Sequence, residues 1–283
     1  MTTTTRTRAL PRPFLKWAGG KAQLLPELTA RVNQAKPFGR YHEPFIGGGA
    51  LFFDMARTQA FSRKKAYLSD NNARLIEAYE AVKQNVDRVI NLLRQHAKHH
   101  SEDYYYAVRG RLPDDLYERA ARIIYLNKTG FNGLYRENSR GGFNVPFGRY
   151  KNPLVCDEPN LRAAATALRH AKIEVRHFER VLDHAESGDL VYFDPPYHPL
   201  SKTSSFTSYY KSGFGEDSQR LLAHVAEELG RRGVKVLLSN SMTPLIRELY
   251  EKSFTVEQVY ATRNINSRAD RRGPIAEALI SNF

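Results

Sequence analysis

The run Gly188-Asp189-Leu190-Val191-Tyr192-Phe193-Asp194-Pro195-Pro196-Tyr197 is apolar until two prolines stop it, leaving a polar tip. Proline fixes φ and cannot donate to a strand ladder. The run therefore reads as a buried strand ending at the sheet edge where ligands of α/β proteins sit. An exocyclic amino group on a base is a poor nucleophile because its lone pair is delocalised into the ring. Asp194 and a proline carbonyl can draw its two N–H bonds and let the nitrogen rehybridise. Pro195 and Pro196 hold carbonyls rigidly without competing donors, and Tyr197 offers a flat face to a base. Alone, these four residues point to catalysis at an amino group of adenine or cytosine, in DNA or in RNA.

A second chemical feature is Phe45-Ile46-Gly47-Gly48-Gly49, followed about twenty residues later by Asp70. This is the layout of a nucleotide-like ligand across a Rossmann-type sheet: glycines let the ligand approach the backbone, and Asp70 can accept hydrogen bonds from ribose hydroxyls. Glycine runs also serve ordinary strand-to-helix turns, so this feature gains weight only beside the first. Gly20-Lys21 is not a triphosphate loop, since Ala22 stands where Ser or Thr would bind magnesium and Leu15 where the first glycine belongs.

A third feature lies between Asn127 and Lys151. There Arg136, Arg140, Arg149 and Lys151 alternate with Phe131, Tyr135, Phe143, Phe147 and Tyr150 among glycines. Aromatic rings can stack on bases while the cations meet phosphates or guanine edges, so the segment reads as a nucleic-acid contact. Any single arginine in it is as well explained by phosphate positioning as by base reading.

The elements that must hold these features alternate as an α/β protein does. Tyr41 to Ile46 reads as a strand end, with a glycine turn and a helix from about Leu51, and Ala66 to Ser69 as a strand ending at Asp70. Apolar residues at helical spacing from Asn72 to about His100 predict two helices broken near Asn85, with a further helix over Asp115 to Asn127. Later strands are expected over Ile173 to Phe178, Leu190 to Phe193, Val234 to Leu238, Phe254 to Tyr260 and Ile275 to Ile280. Helices are expected over Glu216 to Arg232 and Pro244 to Lys252.

A formal net charge of +13 over 283 residues favours a polyanionic partner, because Lys and Arg release counterions condensed on nucleic acid. No stretch approaches the roughly 20 apolar residues needed to span a bilayer, and the Thr-rich start lacks a secretory core, so a soluble cytoplasmic protein without a membrane partner is expected. The single cysteine, Cys156, excludes an internal disulfide and reads as an inert structural thiol. The run His96-Ala97-Lys98-His99-His100 has no carboxylate or cysteine cluster to complete a metal site and reads as a solvated helix end.

With these residues assembled, the chain resembles the Dam-like DNA adenine-N6 methyltransferases of the D12 class, and is most similar to the DpnM branch that methylates GATC. The resemblance runs through almost the whole chain. It is carried by Pro13-Phe14-Leu15-Lys16-Trp17-Ala18-Gly19-Gly20-Lys21, Glu43-Pro44-Phe45-Ile46-Gly47-Gly48-Gly49, Ser69-Asp70, Asn132-Gly133-Leu134-Tyr135-Arg136, Phe143-Asn144-Val145-Pro146-Phe147-Gly148-Arg149-Tyr150 and Asp194-Pro195-Pro196-Tyr197. The order, glycine motif first and Asp-Pro-Pro-Tyr last, matches the α arrangement of amino-methyltransferases.

The resemblance implies an α/β, Rossmann-like S-adenosylmethionine-dependent methyltransferase sheet with a helical target-recognition insertion. Its cofactor would be S-adenosyl-L-methionine, leaving as S-adenosyl-L-homocysteine, with no metal. Trp17, Lys21, Asp70 and Asp194 would contact the cofactor or line its pocket, and Phe45 and Gly47 would shape the floor beneath it. Arg136 would read a guanine, Leu134 and Pro146 would touch the thymine side, and Phe131, where some relatives carry tyrosine, would wedge into the stack. Asn132 and Arg149 would position the strand, and Tyr150 and Lys151 complete the DNA-binding set. The organisation expected is a flexible arm over 1–12, a catalytic domain over 13–84 and 165–283, and a recognition domain over 85–164 with a DNA-contacting loop at 129–152. The partners expected are double-stranded DNA and, in function only, a cognate restriction endonuclease, with the chain itself a monomer. An RNA adenine-N6 methyltransferase and a catalytically silent sequence-specific DNA-binding protein are the alternatives.

Overall fold

The computed structural model describes residues 9–17, 19–58, 61, 65–200, 214–262 and 274–283. Ala18 of the first motif and residues 1–8 of the expected arm lie outside them. The chain divides into two compact units. One comprises Met1–Gly20, Gly47–Arg63 and Asn72–Val175; the other comprises Lys21–Ile46, Lys64–Asn71 and Arg176–Phe283.

The second unit holds the strands β1 (Tyr41–Glu43), β2 (Ala66–Asp70), β4 (Leu190–Phe193), β5 (Lys235–Ser241), β6 (Thr255–Thr262) and β7 (Pro274–Ser281). Their order is β2-β1-β4-β5-β7-β6. The first four are parallel, and β7 runs antiparallel between β5 and β6. The chain steps from β1 outward to β2 and later returns to β4 on the other side of β1. That is the topological switch point at which doubly wound sheets open a crevice beyond the strand ends. β4 is buried at every residue, as a parallel strand covered on both faces must be.

On one face of β4, Val191 and Phe193 join Val236, Leu238, Ala278 and Ile280 against Leu222, Ala226 and Leu229 of α8 (Glu216–Arg231) and Ile246 and Tyr250 of α9 (Pro244–Tyr250). The unit also contains α1 (Leu25–Gln34) and a short 3-10 segment, Phe178–Asp183. Phe178 therefore belongs to that turn and not to the strand expected through it. The strand itself, β3 (Ala171–Val175), ends sooner and falls in the first unit.

The first unit is otherwise helical: α2 (Ala50–Arg57), α3 (Ala73–Gln84), α4 (Val86–Lys98), α5 (Glu102–Gly110), α6 (Leu116–Thr129) and α7 (Glu158–Leu168). The break expected near Asn85 is present. The Asn85 side chain accepts from Arg88 N and caps α4 where α3 stops, the kind of cap worth about 1 kcal/mol. Asn72, Ser101, Asp115 and Asp157 cap α3, α5, α6 and α7 in the same way. α1, α5 and α7 were not anticipated from periodicity; the last two are short helices led by their caps.

The histidine run ends α4 as expected, with Ala97, Lys98 and His99 exposed, but partial burial corrects the solvated reading for His96 and His100. His96 stacks on Tyr125 at 4.9 Å and its Nδ1 lies 2.8 Å from the Tyr104 hydroxyl, while His100 Nδ1 lies 2.9 Å from the Tyr125 hydroxyl. Burial, reinforced by His99, pulls His96 down to about 4. A charge pattern alone could not reveal this, because the aromatic partners come from α5 and α6.

Candidate active site

The position of the Asp194 tip follows from strand register. β4 pairs with β5 through Phe193↔Leu238, so one step further along the pair Asp194 faces Ser239. Side chains alternate across a strand, so Tyr192 and Asp194 share a face. The Ser239 hydroxyl donates to Asp194 Oδ1 at 3.0 Å and lies 3.0 Å from the Tyr192 hydroxyl. Lys21 Nζ, from the turn before α1, sits 2.8 Å from the same Oδ1. Asp194 Oδ2 accepts no hydrogen bond among the described residues, and neither does the Pro195 carbonyl, whereas the Pro196 carbonyl receives Gln219 Nε2 at 3.0 Å.

The two acceptors that an amino group needs are thus the two left open among the described residues. One oxygen of Asp194 is tied down, which fixes the direction of the other. Burial pushes the Asp194 carboxyl above the usual carboxylate range, and the Lys21 ammonium and the Ser239 hydroxyl oppose that rise. Tyr197 is held at both ends: its hydroxyl donates to Glu277 at 2.9 Å and Lys21 Nζ lies 4.5 Å from its ring centre. Burial, with Asp194 and Glu277 nearby, pushes the Tyr197 phenol well above its ordinary range, so it stays a neutral donor.

Replacing Lys21 with methionine is expected to move the acid limb of the single-turnover pH profile to higher pH. Removing the ammonium lets burial raise Asp194 further, and only the ionised carboxylate accepts well, so activity lost near neutrality should partly return in alkaline buffer. An unmoved limb would show that Lys21 does not tune Asp194.

The same unit places Asp70 at the end of β2, with its carbonyl taking Arg176 N at 3.1 Å. Phe45, just past β1, stacks on Phe178 at 5.2 Å and meets Phe193 and Phe214 edge-on. Lys21 therefore joins Asp194 to Tyr197, while Asp70 and Phe45 stand at neighbouring strand ends with partners of their own.

In the first unit, Gly47 and Gly49 hold φ of +45° and +69°, the left-handed region glycine favours, and Gly49 is the N-cap of α2. A Cβ on Gly47 would fall 2.9 Å from Cδ1 of Trp17, so this glycine also makes room for the indole. Sequence spacing predicts the turn; only the fold shows what stands over it.

Residues 129–152 form the expected loop, folded as a hairpin by two isolated antiparallel bridges. Gly130 bridges Phe147 and Glu137 bridges Phe143, with Asn138 N to the Gly142 carbonyl at 2.9 Å closing the tip. Phe131 is 50% exposed and Leu134 44%, large apolar side chains left in water where DNA contact would cover them. Pro146, Asn132, Arg149 and Lys151 are exposed, and Tyr150 is half-buried with Lys16 Nζ 5.4 Å from its ring centre. Arg136 donates through Nε and Nη2 to the Asn144 carbonyl, which orients its guanidinium across the hairpin. Asn132 and Arg149 adopt φ of +54° and +49°, and strained backbone of this kind, in Arg149 above all, gathers at ligand-contacting segments.

Residues 17–265 match the family model of D12 class N6 adenine-specific DNA methyltransferases. The chain belongs to that family. The methyltransferase is 42% identical to the type II methyltransferase M1.LlaDCHI of Lactococcus lactis subsp. cremoris, with 96% of this chain and 95% of that one covered. It is also 42% identical to the type II methyltransferase M.MjaIII of Methanocaldococcus jannaschii, over 96% and 99%. To the DNA adenine methylase of Escherichia coli strain K12 it is 36% identical, over 95% and 94%. The family implies use of S-adenosylmethionine and action on DNA. No helix among the described residues is long and apolar enough to cross a membrane.

Sequence reasoning missed Ser239, Glu277 and Gln219, which hold the tip of the methyltransferase. A signal existed for the first: Ser239-Asn240-Ser241 is a polar run closing an apolar strand, and all three are buried. Glu277 sits in β7, antiparallel and late in the chain, with no local mark of its role.

Proposed function

We propose that this enzyme transfers the methyl group of S-adenosylmethionine to N6 of an adenine flipped out of duplex DNA, within GATC. The observation that carries the reading is the division of labour at Asp194: Oδ1 occupied by Lys21 and Ser239, Oδ2 open beside the open Pro195 carbonyl. The names of the relatives support DNA and adenine as substrates and, through the type II methyltransferases, a cognate restriction endonuclease as functional partner.

The exposed hairpin docks first, with Arg136 and Phe131 against the duplex, and the extruded base lies on the Tyr197 ring. Asp194 Oδ2 and the Pro195 carbonyl accept the two N–H bonds of N6, which returns the lone pair to nitrogen. Bound S-adenosylmethionine supplies a methyl already activated by positively charged sulfur, so alignment and desolvation carry much of the rate. N6 gains the methyl and gives up one proton, for which Asp194 is an adjacent acceptor. Trp17, Lys21, Phe45, Gly47, Asp70 and Asp194 are the residues that would hold the cofactor. The fit rests on a carboxylate at the β2 end for ribose hydroxyls and on a glycine turn with an indole over it.

Single-molecule sequencing of DNA from cells expressing the protein should show N6-methyladenine at GATC. Modified cytosine, or unmodified DNA beside modified RNA, would overturn the chemistry, and another motif would overturn the site. Arg136→Ala should relax discrimination at one base pair by about 1–3 kcal/mol. A uniform loss over all sequences would instead make Arg136 a phosphate contact.

A further inference from the structure

Asn127, near the end of α6, is fully buried, and its amide is committed to two backbone segments at once. Oδ1 accepts from Lys16 N at 2.7 Å, and Nδ2 donates to the Lys16 carbonyl at 2.7 Å and to the Gly133 carbonyl at 3.0 Å. The first segment leads into Trp17, which stands over Gly47; the second is the turn between Phe131 and Leu134. The Trp17 ring then stacks on Tyr135 of the hairpin at 4.8 Å with 27° between the planes.

α3 braces both ends of this arrangement. The Tyr79 hydroxyl donates to the Gly47 carbonyl at 3.0 Å, and Arg74 Nη1 pairs with Glu137 Oε1 at 2.9 Å, the oxygen that also takes the Tyr135 hydroxyl. The glycine turn, the indole and the recognition hairpin thus form one chain of direct contacts with no gap to be bridged by solvent.

We propose that Asn127 and the Trp17–Tyr135 stack form a joint that couples cofactor binding to the recognition hairpin, so that each ligand tightens the other. The inference rests on the reading that Trp17 and Gly47 meet the cofactor and that the hairpin meets DNA. A cofactor that settles the indole settles Tyr135, and with it the turn that carries Phe131, Leu134 and Arg136. Asn127 is a positioning residue in this scheme and touches neither ligand. Coupling between two ligands must be reciprocal, which makes it measurable from either side.

The test uses S-adenosylhomocysteine and a GATC duplex with the full chain and with the variants Asn127→Ala and Tyr135→Leu. Trp17 is the only tryptophan, so its emission reports cofactor binding directly, and anisotropy of a labelled duplex reports DNA binding. The unaltered protein should show a coupling factor within about 5–150, equal from both directions, and both variants should bring it to within about twofold of one. A merely structural role would weaken both ligands alike and leave the ratio unchanged. Tyr135→Leu, at a half-buried position, keeps the test decisive if Asn127→Ala does not fold. Coupling that survives in a folded variant, or a factor of one in the unaltered protein, overturns the inference alone. S-adenosylhomocysteine binding that leaves Trp17 emission unchanged overturns the placement of the cofactor, and the inference with it.

Discussion

Replacing Asp194 with alanine is expected to lower the single-turnover rate of methyl transfer by about a hundredfold to a thousandfold or more, with duplex binding left within a few-fold of the unaltered enzyme. The loss is large because Asp194 Oδ2 and the Pro195 carbonyl are the two acceptors left open at the tip, and removing one leaves an amine N–H without its partner as charge develops. On the proposed reading the exposed hairpin carries duplex binding, and the substitution does not touch it. Alanine also removes the carboxylate paired with Lys21, whose side chain is only 8% exposed. Asp194→Asn is therefore the companion variant: it keeps the shape and an acceptor for Ser239 while removing the charge. Single-turnover transfer measured beside duplex affinity distinguishes the outcomes, and near-normal rates in both variants would sink the assignment of Asp194.

The second large effect is on stability and lies at the opposite end of β4. Asp189, just before the strand, is buried and receives four donors. Arg40 N donates to Oδ1 at 2.8 Å. Oδ2 takes Arg40 Nε at 2.9 Å, Glu186 N at 3.0 Å and His42 Nε2 at 2.9 Å, with Arg40 Nη2 2.8 Å away as its ion pair. Asp189→Ala should cost about 3–5 kcal/mol, because it takes the acceptor from the buried His42 ring and the buried carboxylate from Arg40, which keeps only the His184 carbonyl and the exposed Glu186. In thermal melts that is a fall in Tm on the order of 10 °C for a protein of this size.

Burial alone would raise Asp189, but the hydrogen bonds from His42 and Arg40 outweigh it and hold the carboxyl well below its usual range. A carboxyl depressed on folding contributes stability that is present above its unfolded pKa, near 4, and is lost as pH falls through the folded value. The unaltered protein should therefore lose stability on acidification below about pH 4, and Asp189→Ala should lose less over the same window. Parallel acid denaturation curves for the two proteins would remove Asp189 from the account.

Much of the fold was legible because local rules and the final structure agree. The strand Leu190–Phe193 ends where two prolines end it, α3 and α4 part at an asparagine able to cap, and β2 stops at Asp70 as expected. The misses share one cause. His96 reads as a solvated charge until Tyr104 and Tyr125 arrive from other helices. Phe178 extends a strand pattern until a 3-10 turn takes it.

The candidate site divides in the same way. Residue type and order determined the family by themselves: Asp194, Pro195, Pro196 and Tyr197 have the acceptors and the ring that the proposed chemistry uses, and their combination with the glycine turn, Asp70 and the hairpin residues carries the resemblance. Which acceptors remain open was decided only in three dimensions. Ser239, Gln219 and Glu277 reach the tip through strand pairing and helix packing, and Lys21 through the turn before α1. A local pattern can place a functional group at a strand end. It cannot say which of that group's lone pairs the rest of the chain will occupy, because those partners lie far away in sequence and meet it only when the sheet assembles.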